Sequence, residues 1–98
     1  VHARKLVVII AEAALERRLA ADAMRLGAHG YTVVDVRGAG ARGERSGDWE
    51  ADRSIQMEIV CEEAVAHAIA EHVRRTYFEH YAVSLFLSEV EVLRPEKF

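Results

Sequence analysis

The sequence predicts an α+β domain, a four-stranded antiparallel sheet with two helices on one of its faces. Three observations predict it. Apolar residues recur with a strand-like period, then a helix-like one, then a strand-like one, and the series occurs twice, separated by a long glycine-rich loop. Only two helices accompany four strands, too few to cover both faces of a doubly wound parallel sheet. The two strand–helix–strand units are similar in length, as in a split βαβ arrangement.

The elements follow in order. Lys5 to Ile10 is a β-branched run too short for a helix and reads as a strand buried on both faces. From Ala13 to Leu26 the period changes: Leu15, Leu19, Ala23 and Leu26 share one face, with Glu16, Arg17 and Arg25 elsewhere. Gly27 is placed to end that helix in a left-handed conformation, and Gly30 offers a second tight position. Tyr31 to Arg37 alternates as a strand, and Ser54 to Cys61 does so again with Ile55, Met57 and Ile59 on one side. Glu62 and Glu63 suit a helix N-terminus. The helix they open turns Val65, Ile69, His72, Val73 and Thr76 or Tyr77 inward, and His67, Glu71, Arg74 and Arg75 outward. Tyr81 to Glu89 is the last strand, with Val90 to Leu93 its continuation or a short extra one, and Pro95 opens an irregular tail. This is the ferredoxin-like order βαββαβ. One sheet face then has no helix over it, while the first strand carries apolar side chains on both faces, and the third is read the same way. A symmetric oligomer that buries the open faces together is expected.

At 98 residues the chain is one domain, residues 1–98. Its 51% apolar content is enough for a globule. Thirteen Lys and Arg against 16 Asp and Glu leave a net charge of −3, which argues against general nucleic-acid binding but leaves room for a small anion on a local cluster. Strands one and three also lack the aromatic residues on which RNA-binding sheets stack bases. The longest apolar run, Leu6 to Ala11, is far short of the ~20 residues of a membrane-spanning helix, so no membrane insertion is expected. One cysteine, Cys61, gives neither a disulfide framework nor a zinc spacing, and a reducing cytoplasm is the expected compartment. The chain begins at Val1 with no methionine, which is compatible with a processed leader or a missing start.

The most informative segment is Gly38 to Arg53, GAGARGERSGDWEADR, read as a loop without regular structure. Its first half holds Gly38, Gly40 and Gly43 with Arg42, Arg45 and Ser46. Glycines let backbone N–H groups turn toward an oxyanion, and arginine offers planar paired donors for phosphate or carboxylate. Arg42 and Arg45 outweigh Glu44 up to Gly47, whereas Asp48, Glu50 and Asp52 outweigh Arg53 beyond it. An anion site therefore belongs at the loop base; the plain alternative is an unconstrained surface loop. The Gly-Lys-Ser/Thr ending of a phosphate-binding P-loop is absent. Trp49, between Asp48 and Glu50, is read as a handle for a partner protein, the alternative being that it folds back on its own domain. Glu63/His67 and His67/Glu71 are spaced as surface pairs on a helix. His72 is read as a satisfied core or interface histidine, and Cys61 as a buried structural thiol. Tyr77, Phe78 and Tyr81 are expected to pack beneath the strands. No nucleophile with a base and no pair of carboxylates suggests catalysis, so no catalytic residue and no metal ligand is assigned.

These residues also carry a resemblance. Lys5-Leu-Val-Val-Ile-Ile, Gly27-Ala28-x-Gly30-Tyr31-Thr32-Val33, Gly38-Ala39-Gly40-Ala41-Arg42 with Arg45-Ser46, Tyr77-Phe78-x-x-Tyr81-Ala82 and Glu91-Val92-Leu93-Arg94 resemble the PII-like signalling proteins over nearly the whole chain. The likeness is greatest to the bicarbonate-linked branch, which holds the carboxysome-associated PII-like proteins and the SbtB-type regulators of a bicarbonate transporter. It implies a non-enzymatic homotrimer that binds ADP or AMP in clefts between subunits, with bicarbonate alongside. Residues 38–53 would be the T-loop, whose ordering responds to ligand and engages a bicarbonate transporter or a carboxysome component. By motif, the resemblance places Gly38, Ala39, Gly40, Arg42, Arg45 and Ser46 at the nucleotide and its phosphates, Ile9 and Val60 against adenine, and Thr32 on the strand entering the cleft. Arg94 and Lys97 fall where a C-terminal basic segment reaches a neighbouring subunit's phosphates. Bicarbonate would sit near Gly40, Ala41 and Arg42.

The chain also departs from its relatives. Where the nitrogen-regulating PII proteins have a glycine-rich B-loop with a lysine, this sequence reads Tyr81-Ala82-Val83-Ser84, which favours ADP or AMP over ATP with magnesium and oxoglutarate. The loop holds no tyrosine for uridylylation. The glycine that SbtB-type members usually carry at Val83 is missing, as is their cysteine-bearing extension after Phe98, and both differences point to the carboxysome-associated branch. AMP or cyclic AMP binding by an SbtB-type regulator is the alternative within the family. Two others share the fold: a small phosphatase of the acylphosphatase type, disfavoured because the chain has no asparagine, and a metal-binding trimer of the CutA type using His72 or His80.

Overall fold

A computed structural model describes residues 1–40, 43–45 and 53–98. Strands β1 (His2–Glu12), β2 (Thr32–Val36), β3 (Gly38–Gly40), β4 (Gly43–Arg45), β5 (Ser54–Cys61) and β6 (Ser84–Val92) alternate with helices α1 (Glu16–Arg25) and α2 (Glu63–Tyr77). The main sheet runs β2-β5-β1-β6 with every neighbouring pair antiparallel. β5 fills the gap between β1 and β2, and β1 fills the gap between β5 and β6, so each βαβ unit completes the other's sheet. This is the ferredoxin-like arrangement expected from the element order.

One register decides which side chains meet the helices. Val7, Ile9 and Ala11 of β1 stand opposite Ile59, Met57 and Ile55 of β5, and all six are buried. They form a single core with Leu15, with Leu19, Ala20 and Ala23 of α1, and with Ala66, Ile69, Val73 and Tyr77 of α2. Both helices therefore lie on one face. Strand alternation sends the intervening residues to the other face. β1 supplies Leu6, Val8 and Ile10 there, β2 Thr32, Val34 and Val36, and β6 Phe86, which is 54% exposed. The expectation that the third strand is apolar on both faces does not hold along its length. Its open-face row is Ser54, Gln56, Glu58 and Val60, and Gln56 Nε2 donates to Glu58 Oε2 at 3.0 Å.

Several boundaries differ from the sequence reading. A single 3-10 turn, Ala13–Leu15, precedes α1. β6 starts at Ser84, because backbone hydrogen bonds from His80 and Tyr81 to the Tyr77 carbonyl and from Val83 to that of Tyr81 hold residues 78–83 in turns. The strand then continues unbroken to Val92, and Pro95–Lys97 forms another 3-10 turn. Tyr77, not Thr76, takes the inward position on α2. Phe78 stays 41% exposed, while Tyr81 packs against the core edge.

Gly27 has φ +117°, and a Cβ there would lie 3.1 Å from Val65 Cγ2. Gly30 needs no such conformation. We expect Gly27→Ala to lose about 1–2 kcal/mol of stability in urea unfolding, from the positive φ and the Val65 contact together; an unchanged midpoint would contradict this.

A polar knot joins the helices. Tyr77 Oη donates to Asp22 Oδ2 at 2.5 Å, and His72 Nε2 lies 3.0 Å from the same oxygen. Burial pushes the Tyr77 phenol up to about 12, and the Asp22 carboxylate adds to the shift. Burial would raise Asp22, but the Tyr77 and His72 contacts outweigh it and hold the carboxyl below the ordinary aspartate range. Because the folded Tyr77 pKa is raised, its contribution is full below the ordinary tyrosine value of 10.0 and is lost as pH rises through about 12. Asp22 behaves oppositely, its contribution being lost as pH falls through the lowered value. Tyr77→Phe should cost about 1–3 kcal/mol at neutral pH. The gap from wild type should narrow between pH 10 and 12 in chemical denaturation; a constant gap would refute the assignment.

Candidate functional site

The open face and the loop base meet in a depression of about 320 Å³ lined by Ile10, Val36, Arg37, Gly38, Ala39, Ser54, Gln56 and Ser84. Four strand ends converge there. Ile10 on β1 pairs with Gln56 on β5 and with Ser84 on β6, and Val36 on β2 pairs with Ser54. Ile10 and Val36 give apolar walls. Ser54, Gln56 and Ser84 bring hydroxyl and amide groups, and Arg37 brings a cation. A mostly apolar hollow with a few convergent polar groups is the usual form of a small-molecule site.

The segment entering and leaving the loop is not wholly irregular. β3 and β4 pair as a short antiparallel ribbon, Gly38 with Arg45, Ala39 with Glu44 and Gly40 with Gly43. This corrects the reading of residues 38–53 as free of regular structure. Gly38 and Ala39 continue from β2 into the ribbon, and pairing places the Arg45 backbone beside Gly38. The far end is anchored twice. The Arg53 carbonyl accepts from the Ala13 N–H at 2.9 Å, and Arg53 Nη2 donates to Asp35 Oδ1 at 3.0 Å. A loop departing from one sheet corner thus returns to the same corner.

The residues singled out in the sequence separate into groups. Gly38 and Ala39 line the depression, and Gly40 and Arg45 lie in the ribbon above it. Ala41, Arg42, Ser46 and Trp49 lie outside the described residues. Ile9 is 1% exposed and faces the helices; its neighbour Ile10 is the one that reaches the depression. Thr32 and Val60 are on the open face but nearer its other end, opposite Glu58 and Leu6. Arg94 and Lys97 follow β6 at the end of the sheet remote from Ser84, so one protomer does not bring them to the depression. Ile10, Val36, Arg37, Ser54, Gln56 and Ser84 also line the depression and are not among the site residues expected from the sequence. The alternation of β2 and β5 carried a signal for Val36 and Gln56, but choosing Ile10 over Ile9 needs the β1–β5 register.

The other candidates take ordinary structural places. His67 pairs with Glu63 at 3.5 Å on an exposed face of α2. His72 Nε2 lies 3.0 Å from Asp22 Oδ2, and its Nδ1 approaches Thr76 Oγ1 at 3.4 Å. Among the described residues no three His, Cys, Asp or Glu side chains cluster as a metal site, and no helix is long and apolar enough to cross a membrane.

With the geometry in place, comparison with known proteins is decisive. The family described as nitrogen regulatory protein P-II matches residues 4–97. The chain belongs to the P-II family. A PII-like signalling protein from Thermus thermophilus is 45% identical over 98% of this P-II chain and 95% of its own, with a TM-score of 0.86. CPII from Thiomonas intermedia, a nitrogen regulatory PII-like protein bound to ADP, AMP and bicarbonate, is 28% identical with a TM-score of 0.90, covering 99% of this chain and 94% of its own. A second CPII structure, bound to ADP and bicarbonate, is 28% identical with a TM-score of 0.89 and covers 99% and 95%. The chain is thus a PII-like signalling protein with the ferredoxin-like P-II fold.

Cys61 lies at the end of β5, 1% exposed, and burial raises its thiol pKa, with Glu62 adding to the effect. A thiol-specific reagent should therefore modify Cys61 only on unfolding, at a rate that climbs steeply with denaturant. Fast labelling of the native protein, followed by thiol titration, would contradict this.

Proposed function

We propose that this protein is a non-enzymatic sensor that binds ADP or AMP, together with bicarbonate, in clefts between the subunits of a homotrimer. The observation that carries the proposal is the depression at the loop base. Its apolar walls, Ile10 and Val36, suit a planar base, and Gly38 and Ala39 allow backbone to approach a ligand closely. Arg37 stands at the same place, and Arg42 and Arg45 follow it in the sequence within residues 38–53. The ligands bound by the Thiomonas protein match this chemistry: an adenine base, phosphates and a small oxyanion.

One protomer provides only part of such a site, since the depression is open on its outer side. Apposed open faces would close it, burying Phe86 and Val34 in the same step. A neighbouring subunit is also what would bring Arg94 and Lys97 to the phosphates. Ligand contacts at Gly38 to Arg45 would then set the conformation of the 38–53 loop, which reports occupancy to an inorganic-carbon component such as a bicarbonate transporter or a carboxysome protein, with Trp49 as the contact. The carboxysome-associated role is favoured over an SbtB-type one by Val83, which stands where SbtB-type members usually carry a glycine. A cytoplasmic location follows from that role.

Calorimetric titration of purified protein with ADP, with and without bicarbonate, tests the reading. Wild type should bind one ADP per protomer, more tightly in bicarbonate. Arg42→Ala and Arg45→Ala should each weaken binding at least about tenfold, the scale of a charge-assisted hydrogen bond, while sedimentation still shows a trimer. A monomeric protein, or variants that bind ADP as wild type does, would reject it.

A further inference from the structure

Ser84 is the first residue of β6, and its partner Ile10 closes the β1–β6 ladder at the loop end. β6 is an edge strand, so among the described residues Ser84 has a strand partner on one side only. Strand ends at a sheet edge are among the first parts of a fold to open locally. Yet Ser84 and Ile10 both line the depression. Fraying here would displace one wall of the site.

The residues just before Ser84 are held from an unexpected direction. Residues 78–83 leave α2 in turns and carry Tyr81 back over the helix face. The Tyr81 ring packs against Tyr77 with centroids 5.9 Å apart, and its hydroxyl accepts a hydrogen bond from Arg18 Nη1 at 3.4 Å. The Arg18 guanidinium lies 5.0 Å from the centroid of Tyr77 and 6.0 Å from that of Tyr81. Tyr77 is itself fixed by its bond to Asp22, one turn along α1 from Arg18. A cation on one helix thus grips two rings, one at the end of the other helix and one on the link into β6.

We propose that Arg18 is a positioning residue for the depression: by clamping Tyr81 against Tyr77 it fixes the link 78–83 and keeps Ser84 paired with Ile10. Arg18 touches no ligand. It acts through Tyr81, and the state of the clamp sets how well the depression is formed. Since the ligand is taken to be an adenine nucleotide, the consequence for affinity rests on the reading given above, whereas the effect on the β6 start does not.

Two measurements separate these layers. Amide hydrogen exchange on the ligand-free protein compares wild type with Arg18→Ala, Arg18→Lys and Tyr81→Phe. Arg18→Ala should speed exchange at Val83 to Phe86, and Tyr81→Phe, which keeps the ring and loses only the hydrogen bond from Arg18, should do so by less; both should leave Val7 to Ala11 protected and hardly change the thermal midpoint. Arg18→Lys, which keeps the cation over both rings, should restore much of the protection. Unchanged exchange at Val83 to Phe86 would overturn the clamp, and so would a uniform rise throughout the sheet, which marks general destabilisation. In calorimetric titration, ADP affinity should fall about threefold to tenfold in Arg18→Ala and recover in Arg18→Lys, the scale of couplings carried through packed side chains. Faster exchange with unaltered ADP affinity would refute the positioning role. Failure of wild type to bind ADP would instead defeat the ligand assignment, and exchange alone would then decide the clamp.

Discussion

Everything at the loop base depends on the register that sets Val7, Ile9 and Ala11 against Ile59, Met57 and Ile55. Those six side chains, with the apolar stripes of α1 and α2, make one core on one side of the sheet. A one-residue slip would move the whole row to the other face, so burial fixes the register. Once it is fixed, Leu6, Val8 and Ile10 must face away from the helices. The site is in this sense a by-product of the core, built from the residues that core formation leaves over.

What those residues form depends on position along the strands. At the β1 N-terminal end, Leu6 stands beside Val60 and Ser88; at the other end Ile10 stands between Gln56 and Ser84, with Val36 opposite Ser54 further along. The glycine-bearing ribbon β3–β4 leaves the sheet at this second end. Apolar surface, hydroxyl and amide groups, and backbone without bulky side chains therefore coincide at one corner. The return of the chain at Arg53, tied to both Ala13 and Asp35, keeps the two loop ends at that corner. The ion pair is exposed and contributes little to stability; its effect is geometric.

Much of this was legible in the sequence, for a physical reason. The stripes of α1 and α2 and the Ile55, Met57, Ile59 alternation are local periodicities, and Gly27 marks a helix end through its own backbone. Element order then restricts the sheet to few topologies. The β1 face is not legible, because Leu6 to Ala11 is apolar in both phases, so Ile9 and Ile10 look alike until β5 is aligned beside them. The start of β6 was placed early for a similar reason. Tyr81, Ala82 and Val83 have strand-like composition, but hydrogen bonds back to Tyr77 hold that stretch in turns. The ribbon was hidden in a segment whose glycines resemble those of any loop. The Arg18–Tyr81 contact joins residues 63 positions apart and leaves no trace in a local pattern.

These features share a physical cause. Each involves a contact from outside the strand or loop concerned: β5 chooses the face of β1, α2 delays β6, and α1 reaches the link. The corner that carries the depression is thus the part of the fold least determined by its own sequence. Its lining comes from the four strands of the main sheet and from β3, and the link into β6 is contacted by Arg18 of α1 on the opposite face. Under the proposed function, a ligand seated at this corner would act back on the contacts between sheet and helices. Had the site been built within one strand–turn–helix unit, local backbone geometry would have pre-formed it and left binding little to change. On the reading proposed above, assembly from distant pieces would make occupancy and loop conformation two readings of one arrangement, which is the property a sensor requires.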